Sequence, residues 1–437
     1  MSKKILRIIF SVIIALAVFN GAVFSYNHNV YAAESIKKHA PDTEALITIV
    51  EHNADIKRML IQSIIQAKQI NSDRETNPAQ TLEEYYDFID WATIAMPFNV
   101  LPSAARHPKL YESVDQSLDY FYFVIDQPLD ELKGNGRYYN SLQYVEPFRS
   151  WMVVFTKHWG EYLSTNASWN EEFYQKTLAD ERFGMNNGWY ESPEKWATFN
   201  DFFARRLSSP DARPIAEKAN EAIVVSPADS APQGIWAIDK NSRFEQSKGV
   251  RLKSANFNSV DDILGVGSAY AGQFANGVLT HTFLDVNDYH RYHFPVSGTI
   301  KEVRTILADD AAGGITVWNE KLRKYELEDQ NPGWQSIETR ACVIVDTGKY
   351  GLVAVLPIGM SQVSSVNFEE TVKVGAIVKK GDPLGYFLFG GSDIVMLFQP
   401  QAGFELTAPS IDANSYKHIY MGEAYGIMRG AKKTNVK

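Results

Sequence analysis

Ser392 stands behind two glycines in Phe389-Gly390-Gly391-Ser392-Asp393 and opens the apolar run Ile394-Val395-Met396-Leu397-Phe398. Glycine reaches backbone conformations closed to other residues, so Gly390 and Gly391 allow a hydroxyl to approach the carbonyl of Gly391. A base that takes the hydroxyl proton would turn that oxygen into a nucleophile toward the preceding peptide bond. Read alone, Gly-Gly-Ser is a hairpin turn. Two upstream segments alter the weighing. Ser226-Pro227-Ala228-Asp229-Ser230 places a carboxylate at the mouth of the apolar run Ile223–Val225. Asp288-Tyr289-His290-Arg291-Tyr292-His293-Phe294-Pro295 packs two imidazoles, a carboxylate and a guanidinium together, and His281 lies close upstream. An Asp, a His and a Ser in one domain permit a carboxylate-oriented base acting on a hydroxyl, whatever their order along the chain.

Each piece also has an ordinary reading. Ser-Pro-x-Asp is a common turn opener, and a lone histidine is more often a hydrogen-bonded core or surface residue than a catalyst. His290 and His293 are three apart, so a straight strand would point them to opposite faces and a turn would be needed to join them. His-x-x-His with a nearby Asp raises zinc, but HExxH, Cys-x-x-Cys and His-x-His are all absent, and no metal is expected. A secreted zinc-dependent cell-wall peptidase is the alternative from another class. A biotinyl- or lipoyl-type module, suggested by the Val-Lys-Lys-Gly-Asp hairpin, lacks an obvious carrier lysine at its tip. Cys342 is the single cysteine; its apolar run, Ala341-Cys342-Val343-Ile344-Val345, reads as a buried structural position, and no intramolecular disulfide can form.

The elements that must position these residues change in character along the chain. From Thr43 to Trp189 apolar residues recur at three- and four-residue spacings, as Ile56, Met59, Leu60, Ile64 and as Leu82, Tyr85, Tyr86, Ile89, which predicts helices. Tyr120–Ile125 and Trp151–Phe155 are further core segments, and this half offers no acid/base constellation. Trp196, Phe199, Phe202 and Phe203 predict a short helix leading into Arg205-Arg206 and Arg213-Pro214-Ile215. Beyond it, short β-type runs are separated by glycine, proline and aspartate: Ala222–Val225, Gly277–Leu284, Gly298–Val303, Gly314–Trp318, Ala341–Val345 and Leu352–Ile358. The expected class is α+β. A helical N-terminal domain (34–195) precedes a β-rich mixed catalytic domain with hairpins (196–437).

Residues 1–33 read as an export signal. Lys3, Lys4 and Arg7 precede an apolar stretch from Ile8 to Phe24, and Val30-Tyr31-Ala32 fits a small-x-small cleavage site. The competing reading is a retained membrane anchor, against which Asn20 and Gly21 interrupt the apolar run. Loss of residues 1–32, with three basic side chains and no acidic ones, would take the formal charge from −9 to −12. That balance argues against a nucleic-acid partner and against a net pull to anionic lipid. At 437 residues and 45% apolar content, the chain can build a core large enough for two domains without disulfides.

Phe202-Phe203, Arg213-Pro214-Ile215, Ser226–Asp229, Asp288–Pro295 and Phe389–Ser392, taken in order and spacing, resemble the phosphatidylserine decarboxylase family over about Thr198 to Gln399. The helical half looks like that of a soluble branch that includes fungal tryptophan decarboxylases, which also write the site as Gly-Gly-Ser. The resemblance implies that Ser392 attacks the Gly391 carbonyl with His293 as base and Asp229 orienting it. The chain would split between Gly391 and Ser392, and Ser392 would become a pyruvoyl group, the self-made cofactor that serves as electron sink for loss of CO₂. His290 would assist decarboxylation or return the proton, and Arg291 would hold a carboxylate or a structural partner. The substrate would be phosphatidylserine or a free amino acid, the aromatic ones included. The products of splitting would be two chains from one precursor, with homodimer formation and membrane association left open. Asp393 departs from the Thr or Ser usual after the serine and places a charge beside the cleavage point.

Overall fold

The computed structural model describes residues 38–97, 110, 114–133, 140–244, 250–252, 255–307, 315–327, 334–359, 365–390, 393–412 and 415–430. The expected export segment 1–33 and the expected cleavage pair, Gly391 and Ser392, lie outside them. From His39 onward the chain forms one compact unit. The expected α+β class is what the structure has: helices first, then antiparallel sheets.

The helical segment is built from α1 (Pro41–His52), α2 (Ala54–Ile70), α3 (Leu82–Ala92), α4 (Val114–Ile125), α5 (Phe148–Tyr162) and α6 (Glu171–Ala179). Asn53 ends α1 and caps α2, its side chain accepting from the Asp55 and Ile56 amides. Tyr120 through Ile125 are all buried, so the second half of α4 has no solvent face and forms the centre of this bundle. Among the described residues no helix is long and apolar enough to cross a membrane. A hairpin from the β-rich segment, Thr316–Asn319 with Lys324–Leu327, inserts Tyr325 into the helical core, where its hydroxyl donates to the Thr76 carbonyl at 2.9 Å.

The short helix α7 (Phe199–Phe203) starts three residues later than the aromatic spacing from Trp196 suggests. Thr198 and Asp201 form a capping box that fixes its first turn, leaving Trp196 in the preceding loop. The main sheet comprises β1 (Ala231–Ala237), β2 (Val278–Phe283), β3 (Gly298–Ile306), β4 (Thr339–Asp346), β5 (Leu352–Gly359), β6 (Ile377–Val378) and β7 (Asp393–Phe398), in the order β6-β3-β4-β5-β7-β2-β1. Every pairing is antiparallel. The expected runs fall on these strands and on Ile223–Val225 and Thr316–Asn319, with ends shifted by a residue or a few.

Strand alternation gives the sheet two apolar faces. Ile394, Met396 and Phe398 join one core with Phe203, Tyr292, Phe294 and Phe389, to which the helical segment contributes Trp159 and Leu163. Val395 and Leu397 join the other with Leu279, Ile344 and Leu356. Cys342 lies buried on this second face, and burial pushes its thiol up to about 12, so it is a protonated structural cysteine.

Candidate active site

Three motif segments leave the same end of the main sheet. In register, Ala231 of β1 faces Phe283 of β2, and Phe283 faces Asp393 of β7. Because neighbours are antiparallel, β1 begins, β2 ends and β7 begins at that edge. Asp229 lies two residues before β1, Asp285–His290 follow β2, and Gly390 sits just ahead of the Gly391-Ser392 pair that leads into β7. Adjacent strands lie roughly 4.8 Å apart, so this register alone gathers the three stretches within about two strand spacings.

His293 lies in a short strand, Arg291–His293, paired with Pro383–Tyr386. Its backbone amide donates to the Pro227 carbonyl at 2.8 Å, tying it to the Ser226–Asp229 turn. Its Nδ1–H donates to the Gly381 carbonyl at 2.8 Å, which fixes the tautomer and makes Nε2 the accepting nitrogen, 3.2 Å from the Tyr289 hydroxyl. Burial lowers the imidazole to about 4, outweighing the hydrogen bond to Gly381, so the ring is neutral at ordinary pH. Burial raises the Tyr289 hydroxyl instead, and it remains a proton donor.

Asp229 does not hold His293 as expected. No hydrogen bond joins the two side chains. Asp229 is taken by Arg213, whose Nη2 donates at 2.6 Å and Nε at 3.0 Å, and by the Met421 amide at 2.8 Å. Both members of the ion pair are about 2% exposed. The guanidinium fork matches the carboxylate, so the pair is the better partnership, and the orienting group on His293 is a backbone carbonyl. The Arg213 guanidinium is further packed between Trp189, at 4.2 Å, and Tyr420, at 4.8 Å.

His290 is fully buried in the loop after β2. Its Nε2–H donates to the Asp285 carbonyl at 3.0 Å, and its ring stacks on Phe203 with centroids 3.7 Å apart. Phe203 also meets Phe389 edge-on at 5.3 Å. The Phe387 amide donates to the His290 carbonyl at 2.9 Å. The chain running into Gly390 is therefore fastened to His290 by its backbone and, through Phe203, by its side chains. Gly390 itself has φ +103°, a conformation that favours glycine. Arg205, fully buried, secures the same loop by donating to the Asn287 and Asp288 carbonyls at 3.0 and 2.8 Å.

A model of the phosphatidylserine decarboxylase family matches residues 199–427, more than half of the chain. The chain belongs to the phosphatidylserine decarboxylase family. Among its relatives, phosphatidylserine decarboxylase proenzyme 2 of rice is 31% identical over 242 residues, covering 55% of this chain and 35% of the rice protein. The Chlamydia trachomatis (serovar L2) proenzyme is 35% identical over 208 residues, covering 47% of this chain and 61% of its own. The Fusobacterium nucleatum proenzyme is 32% identical over 247 residues, with 54% and 72% covered.

In this phosphatidylserine decarboxylase family member, one site residue, His418, stands outside the motifs. Asp288 accepts from His418 Nε2 at 2.9 Å and from the Asp285 amide at 2.8 Å. Burial raises Asp288 to about 6 against the opposing effect of His418, while the Asp288 contact outweighs burial at His418 and raises it. His418 carries no sequence signal. Arg213 could be noticed only through its Arg-Pro-Ile run. Arg291 takes a structural role: it donates to the Ala204 carbonyl at 2.9 Å and pairs with Glu369. Beside Tyr289 and His293 opens a cleft of about 580 Å³ whose lining includes Arg206, Lys218, Lys379 and Asp382, together with Arg213, Arg291 and Lys380, which are already engaged by Asp229, by Glu369 and by the Glu217, Asn220 and Ile223 carbonyls. Its lining holds six basic residues against one acidic residue, Asp382, although the whole chain is acidic.

Proposed function

We propose that this chain is a self-processing, pyruvoyl-dependent decarboxylase of phosphatidylserine, releasing CO₂ and phosphatidylethanolamine. The observation that carries the reading is the cation-lined cleft opening on His293, at the sheet end where the three motif segments gather. Family membership and the proenzyme names of its relatives support it. A phosphodiester and a carboxylate are both anions, and clustered guanidinium and ammonium groups bind them far better than they bind a free zwitterionic amino acid.

In self-processing, His293 Nε2 takes the Ser392 hydroxyl proton and the oxygen adds to the Gly391 carbonyl carbon. The 391–392 C–N bond breaks, its nitrogen takes a proton, and an ester replaces the amide. Elimination releases the Gly391 carboxylate and leaves dehydroalanine at residue 392, which water converts to a pyruvoyl group with loss of ammonia. The residues present fit that group: a neutral imidazole stands as base, and glycine precedes the pair in a conformation open to it. The pyruvoyl ketone, once made, supplies the electron sink for decarboxylation. His290, with Nε2–H held by the Asp285 carbonyl, offers Nδ1 as the basic nitrogen that accepts or returns a proton. Arg206, Lys218 and Lys379, the cleft's basic residues outside those buried pairings, hold the headgroup, and the buried Phe203–Phe389 wall keeps water from the His290 side.

The purified chain should separate under denaturing conditions into two pieces, the smaller spanning residues 392–437, and Ser392→Ala should stay whole and inactive. Release of CO₂ is then compared on phosphatidylserine, tryptophan, phenylalanine and tyrosine. Preferential turnover of a free amino acid overturns the substrate, and an intact chain with full activity overturns the self-made cofactor. The same reading places the protein beyond the cytoplasmic membrane through residues 1–33, which sequencing of the mature N-terminus tests.

A further inference from the structure

Asp393 is the first residue of β7 and is buried, although it carries a charge-bearing side chain. Its Oδ1 lies 3.2 Å from Nδ1 of His281, and its Oδ2 accepts from Nε2 of Gln335 at 3.3 Å. Trp236 stacks on the His281 ring with centroids 5.0 Å apart and an 18° tilt. Alternation puts Asp393 on the same face as Val395 and Leu397, the face opposite the core that holds Phe203 and Phe389. The cluster is therefore separate from Asp229, His290 and His293. A carboxylate in such a place costs free energy that an apolar residue would not, so its partners invite an explanation.

The position supplies one. A cut between Gly391 and Ser392 makes a new chain end one residue before Asp393. Strand ends fray, because their terminal residues have few bonds to lose. We propose that His281 and Gln335 are positioning residues that clamp Asp393, so that the new N-terminus keeps residue 392 in place after the cut. The proposal rests on the reading that the chain is split at that bond. The backbone of Asp393 is held between Phe283 and Ile358, and the clamp adds the side chain. Consecutive Cα atoms are about 3.8 Å apart, so pinning residue 393 leaves residue 392 a correspondingly small range.

The test uses the full-length, self-processed protein with His281→Leu, Asp393→Val and the conservative Asp393→Asn, which still accepts from His281. Intact mass gives the extent of splitting, hydroxylamine reports the reactivity of the terminal carbonyl, and turnover gives kcat and KM. His281→Leu and Asp393→Val should still split, react with hydroxylamine about tenfold faster, and lose about tenfold in kcat with KM little changed, while Asp393→Asn stays near wild type. Should His281→Leu fail to accumulate, Gln335→Met removes the other partner. Wild-type carbonyl reactivity and kcat in both apolar variants would overturn the clamp. A wild-type chain that never splits would instead overturn the cleavage reading on which it stands.

Discussion

The carbonyl oxygen of Gly381 receives the Nδ1–H of His293 at 2.8 Å, and that single contact decides which imidazole nitrogen is basic. Gly381 has φ +88°, and a Cβ there would meet Ile215 Cδ1 at 2.4 Å. Gly381→Ala should therefore cost about 1–3 kcal/mol of stability and turn the carbonyl away from His293. The rate of chain splitting, followed on gels after rapid synthesis, should fall by about a hundredfold, the low end of a general base's contribution. Adding Ile215→Ala should recover part of the stability, because it relieves the contact and leaves the backbone conformation unfavourable.

The depressed basicity of His293 gives a pH signature. Burial holds the ring neutral down to about 4, so splitting should be flat through pH 6 and fall near pH 4. An imidazole with its ordinary value near 6.5 would lose rate about two and a half units earlier. The same burial makes the fold's stability depend on pH. The contribution is complete above the ordinary histidine value and is lost as pH falls through about 4, because the unfolded ring protonates first. His293→Gln should flatten that acid limb in melting curves recorded against pH.

Arg213 and Asp229 form a pair that cannot be halved cheaply. Arg213→Met leaves a buried carboxylate without its fork and should cost about 3–5 kcal/mol, read by urea unfolding. Asp229→Asn, which keeps the acceptor for the Met421 amide, should cost less. If Asp229 acts on His293 only through space, Asp229→Asn should also slow splitting less than Gly381→Ala does.

Phe203 touches both His290 and Phe389. Phe203→Ala should cost about 3–5 kcal/mol. Phe203→Leu, which keeps most of the volume, should retain the fold and splitting while lowering kcat on phosphatidylserine, since the flat face that orients the His290 ring is lost. Steady-state kinetics of the processed protein separate the two effects.

The strands were legible because their β-branched and aliphatic runs are bounded by glycine and proline, as at Gly298–Ile306 and Leu352–Gly359. The helical half was legible from spacing, and α4 from sheer apolarity. What could not be read was partnership between distant segments. Arg213 and Asp229, or Asp288 and His418, meet because the chain folds back across 16 and 130 residues, and no local pattern records that. The expected Asp229–His293 bond failed for the same reason: a nearer guanidinium and a nearer carbonyl satisfied both groups. From its position in the chain, Asp393 places a charge beside the expected cleavage bond. Strand alternation turns it to the other face, where His281 meets it.

The strand Asp393–Phe398 lies between Leu352–Gly359 and Val278–Phe283, and Ala424–Met428 pairs with Ile223–Val225. In a chain cut before residue 392, both belong to the short piece; the first lies between two strands of the long piece and the second pairs with one. The two pieces are then woven together, so assembly has to precede the cut. Melting the processed protein would accordingly be a one-way event: reassembly becomes an encounter between two molecules, its yield tied to concentration, whereas an uncut Ser392→Ala chain refolds by itself at any dilution.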